Sequence, residues 1–351
     1  MAANKNQHFV PKCHFRPFSK DGEGQAINIF NIKRQISIYD ASISDQCSKD
    51  YFYGKDLRLE NILKDIEGRY STVVRAIESG DHHLSNKAIT TLRNFSILQY
   101  LRTAKAVKRV SDANADLINA AFDRPADKER RPDDLTKEEL LHLSLFSAAE
   151  DLINDLKFCL CVNRTKFEFI TSDDPAIHTN KYHIQRLGTT VFGFKSAGAL
   201  LMIPVTPNVY SIFYDGGCYT IPDKKELSVE VVRPVDVMAF NELQVINSWQ
   251  NLFFRDRNQS GSVAEAFERH APQRISTWTT TNQLVEIEPG VYRQGSPEEI
   301  ESARALVVHQ QPKFPVPTSW PSFIKFRNPP RVDNTGTAAG IIRRGVSLDR
   351  R

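Results

Sequence analysis

Two periods alternate along the chain. Near its start, Ile27-Asn-Ile-Phe-Asn-Ile32 and Ile36-Ser-Ile-Tyr39 carry β-branched and aromatic residues close to every second position. That spacing puts a row of side chains on one face of a strand, and Gly22 and Gly24 ahead of it supply a turn. The pattern predicts a hairpin. From residue 57 the period lengthens: Leu59, Ile62, Leu63, Ile66, Tyr70, Val73, Val74 and Ile77 recur at three- and four-residue spacing and form one apolar stripe. A helix is predicted over 57–79, closed by Gly80-Asp81. A second is predicted from Asn86 to Val110, with Ile89, Leu92, Phe95 and Leu101 inward and Arg102, Lys105, Lys108 and Arg109 on its later half. Residues 123–134 hold two prolines and nine charges and read as a solvated connector. A third helix is predicted from Leu135 towards Leu156.

The short period returns after Cys161. Lys166-Phe-Glu-Phe-Ile170 predicts a strand ended by Thr171-Ser-Asp-Asp-Pro175. Ala199–Val205 and Val209–Tyr214 predict two more, joined at Thr206-Pro-Asn208, a strong turn signal. Over 236–257 the apolar positions Val237, Met238, Phe240, Leu243, Val245, Ile246, Trp249, Leu252 and Phe253 predict a helix again. Six prolines then fall between Gln310 and Pro330, and residues 291–351 hold ten Arg+Lys against five Asp+Glu. No repeat is present. The expectation is an α+β protein, a helical bundle packed beside a small, mostly antiparallel sheet. Residues 1–290 form its one main domain, and 291–351 a Pro-rich, basic tail that is extended or mobile and has no core of its own.

Composition narrows the class without naming a function. The 351 residues are 40% hydrophobic and 25% charged, the proportions of an ordinary globular protein, which excludes a fibrous repeat, a membrane channel and disorder throughout. A net charge of +4 permits a nucleic-acid partner but does not argue for one. The five cysteines include no C-x-x-C pair, so neither a disulfide framework nor a zinc ribbon is indicated. The residues after Met1 are polar and apolar runs such as Ala199–Ile203 are short. The expectation is therefore a reduced, cytoplasmic protein with no leader and no membrane span. P-loop, G-x-G-x-x-G, G-x-S-x-G and H-E-x-x-H motifs are absent, which removes the common nucleotide hydrolases, Rossmann dehydrogenases, α/β-hydrolases and zincins.

Four constellations remain. His8, in Gln7-His8-Phe-Val-Pro11-Lys12, is suited to proton transfer near neutral pH; the alternative is a histidine that caps a strand or is simply exposed. Glu60 and Glu67, seven residues apart, lie at nearly the same angle at the edge of the apolar stripe. A carboxylate half-sunk there serves as acid, base or metal ligand, or is only a solvated flank paired with Lys64. Gln99 and Arg102 share a helix face. Arg grips phosphate with parallel donors, or it ties helices together through Glu60 or Glu67. Asp173 ends a strand, where catalytic carboxylates are held firmly yet open, or it makes a turn with its own backbone. His178 and His183 follow, and a metal cluster with Asp173 is conceivable although their spacing fits no helical pair.

Taken in order, these segments resemble the domain of unknown function family 4238. The resemblance rests on Gln7-His8-Phe-Val-Pro11 with Phe15-Arg-Pro-Phe18, on Tyr51-Phe-Tyr53 before a helix bearing Glu60 and Glu67, and on Gln99 to Arg102. It continues through Ser172-Asp173-Asp174-Pro175 and Pro204-Val-Thr-Pro207, covers roughly residues 6–257 and implies no activity. The chemistry comes from the residues: His8, Glu67, Arg102 and Asp173 offer a proton shuttle, two carboxylates and a phosphate clamp, the roles phosphodiester cleavage needs. They are expected to converge in one partly open cleft. The expected function is a cytoplasmic hydrolase, a nuclease-like phosphodiesterase of bacterial defence or toxin type, the last part from family context alone. Lys12, Gln99 and Lys105 are the candidate substrate-binding residues, and Glu60 and Asp174 the candidate ligands for Mg²⁺ or Mn²⁺. The partner would be nucleic acid, held by the basic tail and the Arg102–Arg109 helix face. Two alternatives stay open: a non-catalytic binding or regulatory module with a buried polar network, and an enzyme acting on a nucleotide-like small molecule.

Overall fold

Every residue of β8 (Leu200–Thr206), every residue of β9 (Val209–Tyr214) and all but the first of β5 (Lys157–Asn163) are buried. Strands buried on both faces need cover on both. The computed structural model supplies it; it describes residues 5–53, 57–122, 152–222, 227–289, 291–302, 307–336 and 340–346, the side chains of 57–60, 122, 301 and 302 lying outside that description. Phe158, Leu160, Leu201, Ile203 and Phe213 pack to one side with Tyr70, Val74, Leu92 and Phe95 of helices α2 (Leu57–Glu78) and α3 (Asn86–Arg102). Cys159, Cys161, Leu200, Met202 and Ile212 pack to the other with Val237, Phe240 and Leu243 of α5 (Pro234–Asn247). The two-residue period thus divides one sheet between two cores. Its order is β11–β5–β9–β8–β7, with β7 at Ile177–Thr179 and β11 at Ser228–Val231, and β11–β5 is its one parallel pair.

The predicted hairpin forms as β2 (Ala26–Asn31) and β3 (Ile36–Ser42), within a second sheet of order β3–β2–β12–β6, with β6 at Thr171–Ser172 and β12 at Asn251–Phe254. Here the chain departs from its local pattern. The helix expected over 236–257 stops at Asn247, and Asn251–Phe254 form β12, paired on both sides with β2 and with β6 (Thr171–Ser172). A short apolar run satisfies either period, and distant partners decide. The strand expected over 166–170 pairs only at Thr171–Ser172; before it the backbone runs extended, with the Phe169 amide donating to Pro207 O (2.8 Å) and that of Ile170 to Asn241 Oδ1 (3.0 Å). The helix expected over 86–110 is two helices, because Thr103 is extended (φ −70°, ψ 160°) and α4 (Ala104–Phe122) starts anew. The Thr103 hydroxyl accepts from the Ala106 amide (3.1 Å) and so caps α4. The connector at 123–134 lies outside the described residues, as does the third predicted helix except for residues 152–156, which turn into β5.

Several small sheets, mostly antiparallel, with helices against them make this an α+β protein. A three-stranded sheet of β14 (Val291–Gln294), β13 (Thr279–Glu288) and β15 (Val307–Pro312) leans on α4, where Gln310 Nε2 donates to Ala113 O (2.7 Å). Two-stranded pairs join β1 (Asn6–His8) to β4 (Ser48–Asp50), β10 (Tyr219–Thr220) to β16 (Lys325–Phe326), and β17 (Val332–Asn334) to β18 (Ile341–Arg343). The Pro-rich segment is extended, as its fixed φ angles dictate, yet it is docked. Phe323 and Ile324 join the second core, and the buried Asp236 carboxylate accepts from the Ser322 amide (2.7 Å) and hydroxyl (3.0 Å). Glu242 likewise receives the amides and hydroxyls of Thr318 and Ser319. Buried Arg343 is forked onto Asp155 at 2.7 and 2.8 Å.

Ile324 is fully buried, so Ile324→Ala should lower the unfolding free energy by about 2–5 kcal/mol in denaturant titrations. A loss below about 0.5 kcal/mol, the level of a surface change, would show that this segment adds nothing to the fold.

Candidate functional site

The last turn of α3 sets Gln99 and Arg102 on one face. Arg102 Nε donates to Gln99 Oε1 (3.0 Å) and its Nη1 to Glu67 Oε1 of α2 (2.7 Å). Gln99 Nε2 donates onward to Phe9 O (2.9 Å), which ties the N-terminal segment to the bundle. Arg102 has no solvent exposure, whereas the Glu67 side chain is 25% exposed. Burial opposes the Arg102 charge, but Tyr53 and Glu67 more than compensate and raise its pKa. Its Nη2 has no hydrogen-bond partner among the described residues.

His8 lies at the outer edge of this group, half-buried on β1. Its Nε2 is 3.2 Å from Ser44 O, and since a carbonyl only accepts, Nε2 carries the proton and Nδ1 is the basic nitrogen. Burial, then the charge of Lys12 and more weakly that of Arg102, push the His8 pKa below its usual 6.5. The ring is neutral at neutral pH. Lys12 is exposed on the short helix α1 (Lys12–Phe15). Gln7 and Tyr53 brace β1, with the Tyr53 amide donating to Gln7 Oε1 (2.6 Å) and the Tyr53 hydroxyl to His8 O (3.1 Å). Beside them, burial and Glu67 push the Cys13 thiol up to about 12, so it stays protonated.

Behind this outer group lies a sealed inner one. Asp173 and Asp174 are buried. Asp173 Oδ1 accepts from the Trp249 amide (2.8 Å), and Oδ2 accepts from those of Gln250 (2.6 Å) and Asn251 (3.2 Å). Burial pushes its pKa up to about 6 against the pull of the Trp249 and Gln250 amides. Asp174 accepts from the Thr103 hydroxyl (2.6 Å) and pairs with buried Lys105 (3.1 Å), whose Nζ also donates to Asn247 O. The two groups adjoin, since Thr103, whose hydroxyl donates to Asp174 (2.6 Å), follows Arg102 directly in the chain.

Glu67, Gln99 and Arg102 are therefore bonded together, and His8 lies within electrostatic reach of Arg102 and Lys12. Asp174 and Lys105, tied through Thr103 to the end of α3, lie behind with Asp173. The Glu60 side chain lies outside the described residues. Asp173 makes no cluster with His178 and His183; among the described residues no three His, Cys, Asp or Glu side chains converge as metal ligands. His178 stacks on Phe194 (4.0 Å between centroids), meets Phe192 and Phe314 edge-on, and has no hydrogen-bond partner for Nε2 among the described residues. The expected basic face on 102–109 is not a surface stripe, because Arg102 and Lys105 turn inward and Arg109 lies over the Tyr100 ring at 4.5 Å. Only Lys108 of the four is exposed. Sequence reasoning passed over Thr103 and His14. His14 sits in α1, fully buried, bonded to Tyr70 Oη (3.1 Å) and Thr171 Oγ1 (2.8 Å).

Residues 6–258 match the model of a family described as a protein of unknown function (DUF4238). No curated protein and no solved structure matches the chain. No helix among the described residues is long and apolar enough to cross a membrane.

Asp173→Asn keeps the shape but turns an amino group towards backbone amides that need an acceptor. It should cost about 1–3 kcal/mol or more of stability, read from denaturant midpoints; an unchanged midpoint would mean the 249–251 loop is held by other contacts. His178 gives a pH signature. Burial, with Arg109 and Arg343, lowers its pKa to about 3, so the unfolded chain binds the proton first and stability falls as pH drops from about 6.5 towards 3. Between pH 8 and pH 5 this group alone removes about 2 kcal/mol. His178→Phe should gain about that much on the wild type across the range; a constant difference would refute the assignment.

Proposed function

Because the chain belongs to the DUF4238 family, whose description assigns no activity, we propose its function from the outer group: a nuclease-like hydrolase that cleaves a phosphodiester. The observation that carries this reading is Arg102, a fully buried guanidinium with one nitrogen lacking a partner among the described residues. A desolvated donor left unmatched costs about 1–3 kcal/mol, and a phosphate oxygen is a strong acceptor for it. Glu67, partly exposed over the guanidinium, is the side chain that moves to admit the anion, and Lys12 adds charge at the rim.

In the proposed reaction Glu67 orients the attacking hydroxyl or water. Its proton passes to His8 Nδ1 as the oxygen attacks phosphorus, and the bond to the leaving oxygen breaks. The leaving oxygen takes a proton from solvent, and His8 then returns its proton to solvent. Arg102 and Lys12 stabilise the charge that builds on the phosphoryl oxygens. Gln99, Lys105, Asp173 and Asp174 have their polar atoms committed within the protein and act by positioning, a change from the direct roles their types and spacing suggested.

A second reading has its own support. Arg102 is sealed as it stands and the inner carboxylates are satisfied, as in a binding module that does not turn its ligand over. Purified protein incubated with RNA, DNA and nucleotides, with and without Mg²⁺ or Mn²⁺, separates the two. His8→Ala should lower turnover by about 10²- to 10⁴-fold at an unchanged melting temperature, since the ring is half exposed. Because the His8 pKa is lowered, the acid limb of the rate profile should fall below pH 6.5. In a bacterial host the wild-type chain should slow growth and His8→Ala relieve it, as a toxin or defence role requires. Full activity in His8→Ala would end the mechanism, and no turnover of any substrate would leave the binding module in its place.

A further inference from the structure

Away from this site, a cavity of about 150 Å³ lies between α5, α6 (Ser260–His270) and the extended segment 167–170. Ile170, Val263 and Ala266 make its wall apolar, and Met238 at its border is 46% exposed. Val263 and Ala266 sit three residues apart and His270 four further on, so one face of α6 is turned towards it. A dry cavity of about this size is enough for a benzene ring.

Its wall is not purely apolar. Glu168 and Gln259 line it, and each has a buried oxygen, Oε2 and Oε1, without a hydrogen-bond partner among the described residues. The other oxygen of Glu168 is held by Arg255, which fixes the carboxylate at the cavity. His270 also lines it, with Nδ1 turned 3.4 Å from Glu242 Oε1. Two unmatched acceptors in one wall are unusual in a native interior. The terminal amide torsion of Gln259 is soft, so its oxygen turns inward at small cost, while Glu168, held by Arg255 through its other oxygen, keeps Oε2 unmatched.

We propose that this cavity is a binding site for a single-ring ligand that presents N–H donors, of the class of aminopyrimidines and aryl amidines. The apolar wall takes the ring, and the Glu168 and Gln259 oxygens accept the N–H groups. The site is independent of the phosphodiester reading, since it shares no residue with the His8–Arg102 group.

The test uses the full chain and titration calorimetry with benzamidine and cytosine as probes and benzoate as the size-matched acceptor. Saturable binding of at least one donor probe, with benzoate excluded, is expected. Ala266→Leu fills the space without replacing a polar group and should abolish binding while the melting temperature holds or rises. Ala266→Val serves if leucine disrupts α6. Glu168→Gln should weaken binding by about 10- to 100-fold. Binding of none of the probes, equal binding of benzoate, or binding that survives the filled cavity would each overturn the proposal.

Discussion

One carboxylate meets three backbone amides where α5 gives way to β12. A buried turn must find partners for every N–H it exposes, and Asp173 supplies them for residues 249–251. Arg274 does the converse, donating to Val245 O (2.6 Å), Ser248 Oγ (2.7 Å) and Trp249 O (3.2 Å). Together they set the register of β12, and a one-residue slip would exchange its faces. Phe253 packs on Phe15 (4.6 Å between centroids) and Ile29 in the N-terminal core, whereas Leu252 and Phe254 pack with Phe30, Val263 and Phe267 on the opposite side. The N-terminal core carries α1 and the chain on either side of it, so the placement of His8 and Lys12 descends from the turn at Asp173.

The elements read correctly from the chain are those whose pattern and environment agree. The helix α2, the hairpin β2–β3 and the strands β8 and β9 form where the chain's own period puts them. Leu63, Tyr70, Val74 and Ile77 of the α2 stripe are buried although Ile62 is exposed, and β8 and β9 are buried throughout. The misreadings share a different cause. Thr103 breaks a helix in which no Pro or Gly stands, because Asp174, seventy-one residues away, takes its hydroxyl. Leu252 and Phe253 continue a helical spacing, yet β2 and β6 claim their backbone groups. The Pro-rich segment is extended as its composition says, but the carboxylates of Asp236 and Glu242 that anchor it cannot be found by counting prolines. Local propensity yields wherever a buried polar partner or an open ladder offers more.

For the site, residue types were legible and their accessibility was not. The pairing of Arg102 with Glu67 stood among the alternatives for helices with those spacings, and it forms. That Asp173 would spend both oxygens on a loop seventy-six residues further on had no local sign. Charge in this protein is layered. Asp173, Asp174 and Lys105 are locked within, Arg102 is one layer out with a nitrogen unmatched, and His8, Glu67 and Lys12 reach solvent. Such an arrangement gives the outer groups a stiff backing, the condition under which a side chain holds a productive geometry.

The pairing of β2 with β12 also constrains how the protein comes into being. Residues 28–31 lie opposite 251–254, and at about 5–20 residues per second a ribosome needs about 11–45 s to travel from one to the other. Throughout that interval Phe15, Phe18, Ile27 and Ile29 lack Phe253, the residue that closes their core. That leaves an apolar face uncovered on the nascent chain, the kind of surface on which partly folded chains associate. A product released early, by a stalled ribosome or a nonsense codon before residue 254, would carry His8, Glu67 and Arg102 without the strand that fixes the N-terminal core beside them.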